Sequence, residues 1–135
     1  MIRLIFIFFL CICTNIFASD EVTVDLKNPK YSDGTLTTSS GGIISAEGIR
    51  IQAKQITYVH NKKEETLTHT VEAEGEVSVY FGDFILVGDK IFYDFSAHYG
   101  ILYQGRVGLE PWFFGGNIIE LMPNGDYVIH DGFVT

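Results

Sequence analysis

The sequence predicts an all-β chain of bent antiparallel strands in two facing layers, on three observations. Apolar residues recur at every second position through most of the chain, the period of a strand with one buried face. No stretch sustains the 3.6-residue spacing of an amphipathic helix. One bent pattern also occurs twice: Ile49, Ile51, Ala53, Ile56 and Tyr58 are matched, 35 residues on, by Phe84, Leu86, Gly88, Ile91 and Tyr93. Each copy changes parity after its third member, and an odd step inside an apolar series marks a bulge or corner that keeps the greasy side inward.

The first segment stands apart from this pattern. Arg3 precedes ten unbroken apolar residues, Leu4 to Cys13, followed by a small residue at Ala18 and the polar Ser19-Asp20-Glu21. A short positive lead, a brief apolar run and a plausible cut site read as a signal peptide over residues 1–18. The run is shorter than the ~20 residues needed to span a bilayer. Both cysteines, Cys11 and Cys13, lie inside it, so the exported domain is expected to fold without disulfides or thiolate-bound zinc.

Residues 19–41 read as an N-terminal strand and a linker. Val22, Val24 and Leu26 alternate with polar partners, Asn28-Pro29 and Ser32-Asp33-Gly34 punctuate the chain, and Thr35 to Gly42 reads as a weak edge strand. Residues 42–135 form the main domain. Ile43 to His60 holds the first bent pair, and Asn61 to Glu65 is a charged connection with solvated side chains. Thr66 to Val79 alternates for longer than an ordinary strand, so a bend is expected near Ala73 to Gly75.

The central hairpin has the most constrained register. Gly82-Asp83 fits a two-residue turn, which sets Phe81 opposite Phe84, Val79 opposite Leu86 and Val77 opposite Gly88. A slip of one residue would send the second strand's apolar set to solvent. Ile101 to Leu109 follows as a further strand, interrupted by Pro111. Trp112-Phe113-Phe114 is the densest aromatic cluster, and Gly115-Gly116 suggests a tight bend after it. Pro123-Asn124-Gly125 is a strong turn, Tyr127 to His130 a closing strand, and Asp131-Gly132 a last turn. Bent strands at this spacing suit a sandwich, a jelly roll or an open barrel-like roll.

Composition excludes some functions. The net charge is −8, and loss of Arg3 with the leader would make it more negative, so the basic stripe that phosphate contacts require is missing and no nucleic acid is expected as a partner. His60, His69, His98 and His130 show no metal-ligand spacing, and no cofactor motif is present. Asp89 and Asp94 flank Ile91 and Tyr93 and are conceivable as a hydrolase's paired carboxylates, but at strand corners such residues more often cap turns. No nucleophile elbow or phosphate-cradling glycine loop occurs. The chain is read as noncatalytic.

The bent strand, the Ala73-Glu-Gly75-Glu-Val77 segment, the hairpin and Gly88-Asp-Lys-Ile-Phe-Tyr-Asp94 together resemble the OstA-like domain of bacterial lipopolysaccharide-transport proteins, over roughly residues 42–135. The tail, with Phe114-Gly115-Gly116, Ile119-Glu120, Gly125 to Ile129 and Asp131 to Thr135, is similar to the end of the N-terminal periplasmic domain of that family's outer-membrane translocon, LptD. The resemblance implies an open β-jelly roll whose two sheets enclose an apolar slot for lipopolysaccharide acyl chains. It also implies a periplasmic, outer-membrane-associated location, no cofactor, and edge-to-edge stacking with sister jelly-roll domains and translocon components. The expected slot residues are Ile49, Ile51, Ile56, Tyr58 and Val77, with Val79, Phe84, Leu86, Ile91 and Tyr93. The alternative is that these side chains fill a solid sandwich, leaving a structural or interaction module without a ligand lumen.

Overall fold

The computed structural model describes residues 21–135; the expected signal peptide, residues 1–18, lies outside them. Twelve strands run in chain order: β1 (Thr23–Leu26), β2 (Lys30–Ser32), β3 (Thr35–Thr38), β4 (Gly42–Ala46), β5 (Ile49–Ala53), β6 (Gln55–Lys63), β7 (Thr66–Phe81), β8 (Phe84–Asp94), β9 (Tyr99–Leu109), β10 (Trp112–Leu121), β11 (Tyr127–His130) and β12 (Phe133–Val134). All pairings are antiparallel and belong to one hydrogen-bonded sheet, folded along a line into two faces and left open.

The fold is a stack of V-shaped rungs, each pairing with the next in the sequence. Where a rung is two strands, as β1/β2, β3/β4, β5/β6 and β11/β12, a short corner joins them; β7, β8, β9 and β10 each bend within one strand. Sheet I contains β1, β4, β5, the C-terminal half of β7, the N-terminal half of β8, the C-terminal half of β9, the N-terminal half of β10, and β12. Sheet II contains β2, β3, β6, the other halves of β7 to β10, and β11. Residues 23–38 therefore contribute three strands to the same two sheets.

The corner keeps its own hydrogen bonds. Lys27 N–H donates to Gly41 O (3.0 Å), Gly41 N–H to Lys54 O (2.8 Å), and Lys54 N–H to Gly75 O (2.9 Å), so the ladder is carried around the fold. In β7 the turn inward is a bulge: Glu74 pairs with Lys90 and Val77 with Gly88, so Gly75 and Glu76, at φ of 84° and 50°, lie opposite the single residue Asp89. The repeated apolar pattern now has a cause. β5/β6 and β8 are rungs of the same direction, and Lys54 and Asp89 occupy the corner where the parity changes.

The hairpin register is as the alternation requires, with Phe81↔Phe84, Val79↔Leu86 and Val77↔Gly88. Three readings are corrected. Thr35 to Thr38 is no edge strand: β3 pairs with β2 on one side and β6 on the other, and the edge of sheet II is Lys30–Ser32, whose side chains are all exposed and so carry no alternation to read. Asn61 to Lys63 continue β6, and only Glu64-Glu65 make the turn. Gly115 and Gly116 form no tight turn; they lie inside β10, where a Cβ on Gly115 would stand 2.5 Å from the Phe133 ring and one on Gly116 2.5 Å from His130 O. These glycines clear space for β11 and β12 to pack alongside.

Most inward side chains of the rungs join one apolar core. Ile51, Val71, Val79, Leu86, Ile91 and Leu102 are completely buried. Its edges are filled by half-buried Val24, Leu26, Leu36, Phe114 and Ile129.

Candidate functional site

Two lines of chain define where anything can enter between the sheets: the closed corner, and the opposite mouth where the strand tips face one another. Three clefts of about 320, 230 and 300 Å³ lie along the corner, lined mainly by polar and charged side chains. A larger opening, about 560 Å³, is at the mouth. From sheet I it is lined by Glu21, Val22, Ala46, Glu47 and Ile49, and from sheet II by His60, Leu67, His69, Tyr93, Phe95, Ser96 and His98.

Strand period explains most of this lining. Leu67 and His69 continue the inward parity of Val71 and Ala73 toward the tip of β7, and Ile49 begins the inward set of β5. Phe95 lies just beyond β8 and folds back over the floor, its N–H donating to His69 O (2.9 Å). Its ring packs against His69 at 4.9 Å, Tyr93 at 5.1 Å and Tyr58 at 6.2 Å between centroids. His60 stacks on His69 at 4.3 Å. The floor is thus largely aromatic and apolar, and the Tyr58 hydroxyl within it is satisfied by His69 Nε2 at 2.6 Å. Burial pushes the Tyr58 and Tyr93 hydroxyls above the usual tyrosine range, with Asp94 adding to the effect at Tyr93. Glu21 and Glu47 face the imidazoles from the opposite rim.

Of the ten expected slot residues, Ile49 and Tyr93 line the mouth. Ile51, Ile56, Val77, Val79, Leu86 and Ile91 lie deeper, each no more than 1% exposed, and Tyr58 lies below the aromatic floor. Phe84 is half-buried at a different part of the mouth, where its ring meets Tyr127. The side chains between the walls are in contact throughout the core, so a guest beyond the mouth must part the two sheets or displace side chains. The alternation in sequence identified the interior, but not Leu67, His60, His69, Phe95 and His98 as its entrance.

The polar candidates are dispersed. Asp94 Oδ1 accepts hydrogen bonds from the Ser96 and Ala97 amides (2.9 and 3.2 Å) and so caps the β8–β9 turn, while Asp89 sits at the corner. His130 is on the outer surface of sheet II, 2.6 Å from Glu120 Oε1, and His69 faces the mouth, so the two share no site. Among the described residues no group of three or more His, Cys, Asp or Glu is placed to hold a metal ion.

An open β-jelly roll of bent strands, with its accessible apolar space at the mouth between the sheets, is the class of fold this chain adopts. No family model matches the chain, and no curated protein matches it in sequence. Among solved structures it is similar to LptH from Pseudomonas aeruginosa, described as the LptA-homologous periplasmic component of the conserved lipopolysaccharide transport device. The TM-score is 0.66 at 13% sequence identity, with 81% of each chain covered. At that identity the likeness is one of fold.

Proposed function

We propose that this chain is a noncatalytic domain of a lipopolysaccharide-transport system, which takes acyl chains between its two sheets through the mouth and passes them on in the periplasm. The observation that carries this reading is the coincidence of an LptA-like fold with an apolar, aromatic-floored opening of about 560 Å³ between the sheets. Hydrocarbon is the part of the lipid such a site suits. Each methylene withdrawn from water contributes about 0.8 kcal/mol, whereas a chain of net charge −8 offers little long-range attraction to phosphate.

Ile51, Ile56, Val77, Val79, Leu86 and Ile91 form the path beyond Ile49 and Tyr93, and it opens as the sheets separate. Among the described residues the first and last rungs, β1/β2 and β11/β12, have no further strand paired outside them, and such edges suit pairing with sister jelly-roll domains or with components of an outer-membrane translocon. The likeness of the tail to the LptD periplasmic domain supports placement beside the outer membrane.

A second reading, a structural module that uses these edges and holds no lipid, is supported by the filled interior. Adjacent residues on opposite faces separate the two readings. Leu67 lines the mouth at 48% exposure, and Thr68 faces outward. L67D is expected to lower retention of lipopolysaccharide in a pull-down by about tenfold or more, the order expected for a charge against an apolar guest, while T68D leaves it unchanged. Equal retention by both variants and the parent would remove the conducting role.

A further inference from the structure

Past the opening between Ile49 and Phe95, the inner wall of sheet I carries a second apolar region. Trp112 pairs with Leu109 and Phe114 with Val107 in one unbroken register. Strand period therefore places Leu109 and Trp112 on the same face as Val107, which is 2% exposed and belongs to the core. Val134 pairs with Phe114 and shares that face. Leu109, Trp112 and Val134 are nevertheless 45%, 55% and 56% exposed. They form a C-terminal lip of sheet I that is inward by parity, apolar, and in contact with water.

The lip and the first opening differ in chemistry. Around Ile49 and Leu67 the rim also holds His60, His98, Glu21 and Glu47. None of the inward residues of the lip, Leu109, Trp112, Phe114 and Val134, can ionise, and Glu110 lies in the β9–β10 turn. A polar headgroup finds partners at the first opening and none at the lip, whereas hydrocarbon suits both.

In the strand order of sheet I, Phe84 on β8 stands between Ile49 on β5 and the lip on β9, β10 and β12. The rings of Tyr58, His60, His69, Tyr93 and Phe95 pack on one another along sheet II, but Phe84 and Tyr127 meet from opposite sheets, with centroids 4.9 Å apart. Phe84 directly follows the Gly82-Asp83 turn, and Tyr127 follows the turn in which Met122 N–H donates to Asp126 O (2.8 Å), so each ring stands at a strand tip. Leu86, the next inward residue of β8, is completely buried, and Ile129, the next of β11, packs against the core. The two rings are thus the outermost contact across this part of the mouth, and parting the sheets here breaks it first. We infer that the Phe84–Tyr127 pair is a gate on the acyl-chain path, an inference that rests on the proposed lipid-conducting function. Closed, the pair confines hydrocarbon to the opening between Ile49 and Phe95; open, it admits hydrocarbon to the lip of Leu109, Trp112 and Val134.

Photocrosslinking to lipopolysaccharide at paired positions tests this. A benzophenone-bearing aromatic residue replaces Tyr93 at the first opening, Trp112 at the lip, or Phe113, which pairs with Gly108 on the outward face beside it. Each probe is read in the parent, in F84A and in Y127A. The ratio of adducts at 112 to adducts at 93 is expected to rise about threefold to tenfold in either gate variant, the change in open population expected on losing an aromatic pair. F84A/Y127A is expected to raise it no further than either single variant, because both remove the same contact. Y127F keeps the ring and is expected to keep the parent's ratio, and labelling at 113 is expected not to follow the gate. Should F84A disturb folding in a thermal melt, Y127A on the opposite wall keeps the test. No adduct at 93 in the parent would overturn the proposed function and the gate with it. With an adduct at 93, four results would overturn the gate alone: no lipid adduct at 112 in any variant, a ratio unchanged by F84A and Y127A, an equal rise at 113, or protein–protein adducts at 112 that put a second copy on the lip.

Discussion

The ring of Phe84 meets the ring of Tyr127 edge to face, with centroids 4.9 Å apart and planes at 82°, so the tip of β8 in sheet I touches the start of β11 in sheet II across the mouth. This contact closes the mouth toward the C-terminal rungs. Toward the N-terminal rungs, between Ile49 and Phe95, the mouth stays open. An aromatic pair of this geometry contributes about 0.5–1.5 kcal/mol beyond its buried area. A double-mutant cycle of F84A and Y127A, read from urea unfolding, is expected to return a coupling of that size. Additive single losses would mean that the mouth is open along its whole length in solution.

The interior offers a second prediction. Leu86 is completely buried and packs within the single core. If the walls rest closed, L86A is expected to cost about 2–5 kcal/mol in chemical denaturation, the usual range for a leucine removed from a tight core. A cost under about 1 kcal/mol would instead indicate that the walls already stand apart and that the residue lines a loose channel.

At the corner, Gly75 holds φ at 84°, and an added Cβ would lie 3.3 Å from Lys54 Cβ. G75A is therefore expected to destabilise by about 1–2 kcal/mol, the cost of forcing an L-residue into the left-handed region. Thermal unfolding checks this, and an unchanged midpoint would mean that the bulge relaxes at no cost.

Glu120, on the outer surface of sheet II, accepts a hydrogen bond from His130 (2.6 Å) and another from the Tyr99 hydroxyl (3.0 Å), and these hold its carboxyl below the ordinary range. A depressed carboxylate contributes stability above its unfolded pKa, about 4.3, and that contribution disappears as pH falls through the folded value. E120Q is expected to unfold at lower urea than the parent at neutral pH, with the gap closing as the solution is acidified toward pH 3. A gap that persists at low pH would assign the loss to packing.

Much of this fold was legible because strand period and turn chemistry agree. Phe81, Gly82-Asp83 and Phe84 left one register for the hairpin, and the parity step between Ala53 and Ile56 marked the corner that Lys54 occupies. Lys30–Ser32 was illegible because an edge strand with every side chain in water has no buried face to alternate. Gly115-Gly116 misled because a glycine clearing a lateral neighbour looks, in one dimension, like a glycine making a turn. The mouth was hidden for a deeper reason: whether the tip holding Ile49 lies opposite the tips holding Leu67 and Phe95 depends on how far two sheets have twisted, and no local pattern encodes that.

The account turns on whether lipid enters between the sheets. Replacing Tyr93, which lines the mouth, by a benzophenone-bearing aromatic residue places a photoreactive group inside the opening, and the same replacement at Tyr103, 38% exposed on the outer surface of sheet II, gives the reference. Irradiation with lipopolysaccharide is expected to give an adduct of protein plus lipid from position 93 and none from position 103. Equal labelling at both positions, or none at position 93 in a variant that melts with the parent, would contradict a path between the sheets and leave an assembly module.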